Sequence, residues 1–296
     1  MRGMPQRILI LCLIFFFLMI CRGKGAEWLF SLQKGPHGSA LNHPQCVDFY
    51  NSKFYVCDSG NARLISYNLK GEALIAFNPE KKLVYPVDMD FETKDKLWIV
   101  DKLKRGVYLV NFTEKQVKFY KIFYKNIQLY PVEIQIYKNK VFFLDKETGG
   151  IAEADLKNLK KKNNKIKIER IYLPEDSDFK GFCDFKVKQN GIWALSRLEK
   201  RVYYWEKGGN LKIYNLKKEI ILPISIDIKG NDIFILDRYL KKVLIYNIKT
   251  GKKVGEIGRR GWNAGEFYKP VKIKILNYNY LGVVDEGNGK VEIFQF

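Results

Sequence analysis

A single unit recurs six times along the chain after residue 43. Each copy opens with proline, alternates apolar and polar residues, turns, and ends in a short apolar run closed by aspartate. The copies open at Pro44, Pro86, Pro131, Phe182, Pro223 and Pro270. They end at Asp58, Asp101, Asp145, Ser196, Asp237 and Asp285, and successive ends lie 41 to 51 residues apart. The fourth copy is degenerate, with Phe182 and Ser196 where the others carry Pro and Asp. In the first copy, strand signals fall at 46–50, 54–57, 63–68 and 73–77, separated by Asn51-Ser52, Ser59-Gly60-Asn61 and Lys70-Gly71. Four antiparallel strands repeated at this period predict the blades of a β-propeller.

Period-2 alternation and abundant β-branched and aromatic residues exclude a helical repeat. Aromatics make up 15% of the chain, enough for a sizeable core and too many for a disordered polymer. The fold expected is all-β: one six-bladed propeller over residues 26–296. Only one strand, at 290–296, follows Asp285. The strand-like stretch 27–33 is therefore expected to add as the outermost strand of the last blade, closing the ring.

Residues 1–25 read as a signal peptide or N-terminal anchor. Arg2 and Arg7 precede an apolar stretch at 8–20, which is shorter than a membrane-spanning helix needs. Gly23-Lys24-Gly25 offers a small-x-small cleavage pattern, and Cys21 stands where a lipidation cysteine would. Cleavage, lipidation and retention as a tether all stay open, and each places the domain outside the cytoplasm. Lys plus Arg is 52 against 32 Asp plus Glu, a net charge of +20. The charge is dispersed and no nucleic-acid module is present, which argues against nucleic acid. The partners expected are an exported or envelope protein or an acidic polysaccharide, with membrane contact only through an N-terminal anchor. Scattered lysine also fits a compositional bias with a solvated surface.

Two segments resemble NHL repeats. FYVCDSGNARLISYNLKG at 54–71 is similar to the core of that repeat through Asp58, Gly60, Asn61 and Arg63. GRRGWNAGEFYKP at 258–270 is similar to its glycine-rich opening through Gly258, Gly261, Gly265, Phe267 and Pro270. The resemblance implies a six-bladed propeller and no single function, because such propellers serve as protein, RNA or sugar binders and as a few metal-dependent hydrolases and lyases. The closing aspartates recur with the repeat and are read as structural turn acceptors.

The inner strands should line a central channel. Two positions after each opening residue stand Cys46, Asp88, Glu133, Asp184, Ser225 and Lys272. Four positions after it stand Asp48, Asp90, Gln135, Lys186, Asp227 and Lys274. One reading makes Asp88, Glu133 and Asp184 an oxygen-rich site for Ca²⁺. It would support a metal-dependent lactonase or lyase using channel carboxylates. The other pairs these carboxylates with Lys186, Lys272 and Lys274. The two histidines, His37 and His43, cannot build a three-histidine zinc site. No phosphate loop, Gly-x-Ser-x-Gly elbow or Cys/His pair occurs. These absences favour a non-catalytic binding or scaffold module needing no cofactor. For partner binding the candidates are Arg259, Arg260 and Trp262 in one loop, and Lys160, Lys161 and Lys162 in the run at 157–167, read as an exposed basic loop. Arg and Trp are frequent interface anchors, although Trp262 could equally pack under its own loop. Finally, a hairpin turning at Asn51-Ser52 sets Cys46 opposite Cys57, as a disulfide or as two buried thiols.

Overall fold

A computed structural model describes residues 26–157 and 164–296. The leader at 1–25 and Lys160, Lys161 and Lys162 lie outside the described residues. Six blades of four antiparallel strands stand around one axis. Blade 1 consists of Pro44–Tyr50, Lys53–Asp58, Arg63–Tyr67 and Ala73–Phe77, from the axis outward. The inner strands of blades 2 to 6 are Pro86–Thr93, Pro131–Tyr137, Asp184–Lys188, Pro223–Lys229 and Pro270–Leu276. Neighbouring inner strands touch all the way round, blade 6 against blade 1 included. In the five blades that open with proline, the pairing slips by one residue just after it, as between Pro44 and Cys46. Proline lacks a ladder donor, so a bulge at the first residue of a strand leaves no N–H unpaired.

Ring closure follows the expectation from sequence. Glu27–Leu32 pairs antiparallel with Lys290–Gln295 and becomes the outer strand of blade 6. Its buried acceptor is Glu292, which takes Trp28 Nε1 at 2.7 Å and Ser31 Oγ at 2.6 Å.

The core is divided among the blade interfaces. Leu276, Val284 and Ile293 of blade 6 pack on Val47, Phe54 and Ile65 of blade 1. Five further clusters fill the other five interfaces in the same way. Alternation along each strand supplies both faces of each sheet, so every blade is apolar toward both neighbours. Each buried Leu, Ile or Phe contributes roughly 1.5–3 kcal/mol.

The closing aspartates tie each blade to the loop before it. Asp237 accepts the backbone N–H of Ile221 and Leu222 from the preceding loop, and of Tyr239 and Leu240 from its own turn. Asp101 does the same with Val84, Tyr85, Leu103 and Lys104. Asp58 accepts Asn42 N of the preceding loop at 2.7 Å and is held on its other oxygen by Arg63 Nε at 2.6 Å and Asn61 Nδ2 at 2.9 Å. In the degenerate fourth copy Ser196 donates its hydroxyl to the Gly181 carbonyl. Gly258 is required where it stands: its φ is +83°, and a Cβ there would lie 2.1 Å from the Phe267 ring.

One expectation is corrected. The run at 157–167 is not loop to its end, because Lys165–Lys167 forms a strand. It pairs in parallel with the outer strand of blade 2, Gln116–Tyr124, setting Ile166 beside Ile122. Ile166 is fully buried, and that burial outweighs the lysines flanking it. Blade 2 is further extended by Ile127–Leu129. Among the described residues no helix is long and apolar enough to cross a membrane.

Candidate functional site

Polar residues of the inner strands do more than face a wet channel. Each one able to accept a hydrogen bond, except Asp48, which takes Phe49 N of its own strand, reaches sideways to the backbone of the next blade. Asp88 Oδ2 accepts Ile134 N at 3.0 Å, and Asp90 Oδ2 accepts Ile136 N at 2.6 Å. Gln135 Oε1 takes Val187 N at 2.7 Å, while its Nε2 donates to the Val187 carbonyl. Asp184 accepts Ile226 N at 2.8 Å, Ser225 Oγ accepts Ile273 N at 3.0 Å, and Asp227 accepts Ile275 N at 2.8 Å. An inner strand has no neighbour on its axial side, so its free N–H groups need such partners. The stitching runs from blade 2 to blade 6. Blade 1 interrupts it at Cys46, whose sulfur is bonded to Cys57 across the hairpin with Cα atoms 5.0 Å apart. Blade 6 interrupts it with Lys272 and Lys274, which cannot accept.

Those two lysines neutralise the channel instead. Lys272 contacts Glu133 and lies 3.3 Å from Asp184. Lys274 pairs with Asp48 at 2.9 Å, Lys186 with Asp184 at 2.7 Å and Lys188 with Asp227 at 2.7 Å. Burial would depress the Lys272 ammonium, but Asp184 and Glu133 hold it well above the ordinary lysine range. Burial likewise pushes Asp184 up, and Lys186 and Lys272 more than offset it, so Asp184 stays ionised. Burial and the adjacent Asp184 charge raise Glu133. Asp90 is lifted to about 7 by burial, with Lys274 opposing and Asp48 adding to the rise.

The three carboxylates expected to hold Ca²⁺ thus sit at matching heights on blades 2, 3 and 4. Asp88 is taken up by the backbone of blade 3, and Glu133 and Asp184 by lysines. Among the described residues no group of three or more His, Cys, Asp or Glu side chains gathers as a metal site. Beside them the channel keeps a cavity of about 130 Å³ lined by Glu133, Gln135, Lys186, Lys188 and Lys274.

The second candidate region lies at one end of the propeller. In an up-and-down blade, the turns after the second strand and the crossings to the next blade share one end. At that end, Trp262 is neither folded under its loop nor isolated: it is 65% exposed and stacks on Tyr268 with ring centroids 4.1 Å apart. Arg259 is engaged by Glu266 at 2.8 Å. Arg260 is exposed, and its backbone bridges to Phe267. Sequence reasoning missed the neighbours that join this group, Arg238, Tyr239 and Lys241, from the turn of blade 5. Burial and then the charges of Arg238 and Arg260 pull Lys241 below the ordinary lysine value. The signal was present: residues two positions after a closing Asp or Ser include Leu103, Leu198 and Tyr239, exposed by 63, 67 and 65%.

Comparison with known proteins agrees with this architecture. A family model described as a 6-bladed beta-propeller matches residues 217–296. Among solved structures, a catalytically inactive virginiamycin B lyase from Staphylococcus aureus with quinupristin is similar at TM-score 0.61 and 11% identity, covering 86% of this chain and 80% of that one. A streptogramin B lyase is similar at TM-score 0.58 and 12% identity, covering 90% and 87%. The Kuenenia stuttgartiensis hydrazine synthase reaches TM-score 0.60 at 10% identity, covering 86% and 96%. At such identities the likeness is one of fold. No curated protein matches the chain.

Proposed function

We propose that the chain is a non-catalytic binding module that works outside the cytoplasm and docks a carboxylate-rich protein segment on the loop end of blades 5 and 6. The observation that carries this reading is the gathering of Arg238, Lys241 and Arg260, of which only Arg238 has a carboxylate, Glu286, at 3.7 Å, on the end of the propeller that also presents the exposed rings of Tyr239, Trp262 and Tyr268. Like charges held together destabilise one another, and an acidic segment would relieve that repulsion while the rings supply apolar anchors. The disulfide between Cys46 and Cys57 supports an oxidising compartment, in keeping with the leader-like residues 1–25. The Asp58–Asn61–Arg63 cluster supports kinship with NHL repeats, most directly for the first copy. Lysine contacts on Glu133 and Asp184 weigh against the calcium-dependent alternative.

A photo-crosslinking amino acid at position 239, compared with one at 278 on the opposite end, tests the reading in the native envelope. The expected result is one reproducible protein adduct from position 239 that fades with added salt and is lost in Lys241→Glu/Arg260→Glu. Equal adducts from both positions, or none, would overturn it.

A further inference from the structure

Blades 3 and 4 part from each other at the end of the propeller opposite that loop surface. The gap opens beside one irregularity of the repeat. The outer strand of blade 3, Arg170–Tyr172, has only three residues, because the chain first detours through Lys165–Lys167 to blade 2. What remains is a cleft with about 390 Å³ of room.

Aromatic side chains form its walls. Tyr137, Phe142 and Tyr172 come from blade 3 and Trp205 from blade 4, with Tyr172 edge-on to Trp205 at 5.7 Å between centroids. Five cations line the same cleft against two carboxylates, Glu153 and Glu206. Lys140 and the Tyr172 hydroxyl both bond Glu153, Lys212 bonds Glu206, and Lys188 is drawn to Asp227. Lys138, Arg170 and Lys207 have no carboxylate partner among the described residues. Arg170 lies over the Tyr172 ring at 4.3 Å and Lys138 over Tyr137 at 5.4 Å, each held on an aromatic face.

This combination selects a chemical class. Three unneutralised cations call for an anion. The two carboxylates in the same lining would repel a polyphosphate, yet they can accept hydroxyl hydrogens. The aromatic walls suit the apolar face of a ring. We propose that the cleft between blades 3 and 4 binds an acidic saccharide, with a ring carboxylate held by Lys138, Arg170 and Lys207 and the sugar ring against Tyr172 and Trp205. The room accommodates about two sugar rings, within the range of small-molecule pockets. The cleft shares no residue with the loop surface of blades 5 and 6, so the two readings stand or fall separately.

Calorimetric titration of the full chain with digalacturonate, maltose and pyrophosphate tests this. Digalacturonate should bind saturably, and 0.5 M salt should weaken it. Arg170→Ala/Lys207→Ala should weaken it at least tenfold while the melting temperature stays unchanged, because both side chains are exposed. Maltose should not bind measurably, and pyrophosphate should bind more weakly than digalacturonate. The proposal fails if digalacturonate does not bind at millimolar concentration, or if the double variant binds it as well as the parent. It fails equally if maltose matches it, or if pyrophosphate binds as tightly, which would mark a generic anion patch.

Discussion

Lys272 of the sixth blade and Glu133 of the third meet across the propeller axis, the ammonium of one on the carboxylate of the other. The contact joins opposite sides of the ring, where the sideways bonds to backbone N–H groups join neighbours. It exists because blade 6 carries lysine where blades 2 to 5 carry acceptors. The ring gives up two sideways hydrogen bonds there, and a cation at the centre of an acidic channel compensates.

Removing that cation should therefore cost more than a surface pair would. In Lys272→Met, Glu133 and Asp184 lose a shared counter-charge inside the channel. Breaking a buried pair from one side typically costs about 3–5 kcal/mol. Urea denaturation at pH 7 should show a loss of that order, and adding Glu133→Gln in the same chain should recover part of it. A single variant as stable as the parent would mean that water already screens the site.

Asp90 gives the stability a pH dependence. Its folded pKa of about 7 lies above the ordinary aspartate value of 3.8. Between those values the folded chain holds a proton that the unfolded chain has released. Stability from this group is complete below about pH 4 and falls as pH rises toward 7. Asp90→Asn keeps an acceptor for Ile136 N and removes the titration. It should match the parent near pH 4 and exceed it at pH 8 by on the order of 1 kcal/mol, or roughly 2–4 °C in Tm. Parallel melting profiles for the two proteins across that range would refute the assignment.

The blades were legible because each repeat contains its own instructions: a proline start, an alternating hairpin and a closing acceptor. Register was legible too. The Asn51-Ser52 turn alone sets Cys46 against Cys57, as observed. Bonds between repeats were harder to see. The polarity of Asp88 and Gln135 could be read, but their partners, Ile134 N and Val187 N, belong to other copies. Ile166 was hidden for the same reason, since its strand neighbour Ile122 lies forty-odd residues upstream amid unrelated sequence. The cleft between blades 3 and 4 opens beside a departure in the repeat, the short outer strand Arg170–Tyr172, and a pattern read from the repeat does not reveal where it fails.

The closing aspartates should be worth several ordinary hydrogen bonds each. Asp237 is fully buried and satisfies four backbone N–H groups. Asp237→Ala would leave them without an acceptor, at an expected cost of roughly 2–4 kcal/mol, since an unsatisfied buried donor costs about 1–3 kcal/mol and water can reach some of these. Asp237→Asn retains acceptors and should lose less. Hydrogen exchange should locate the damage: amides of 220–222 and 239–240 should lose protection first in Asp237→Ala. Uniform loss across all six blades would contradict a local role.

Closure of the ring is open to the same kind of test. Glu292 is completely buried on the strand next to last in blade 6, where it accepts Trp28 Nε1, Ser31 Oγ and Gly265 N and pairs with Lys290 at 2.5 Å. Three of those four partners are neutral donors, and two of them lie in Glu27–Leu32. Deleting residues 26–33 would strip Glu292 of both, expose the edge of Lys290–Gln295 and uncover part of the cluster around Leu276 and Ile293. An uncovered strand edge is a template for pairing with another chain. The truncated protein should self-associate in concentration-dependent sedimentation, and a synthetic peptide of residues 26–33 added in trans should return it to the monomer. Trp28→Phe/Ser31→Ala keeps the strand and removes only the side-chain donors. It should stay monomeric while losing roughly 2–4 kcal/mol, because a buried carboxylate with fewer donors is destabilised whether or not the edge is covered. A truncated chain that remained a stable monomer would mean that blade 6 holds with three strands, and that pairing of the first described strand with the last is dispensable for closing the ring.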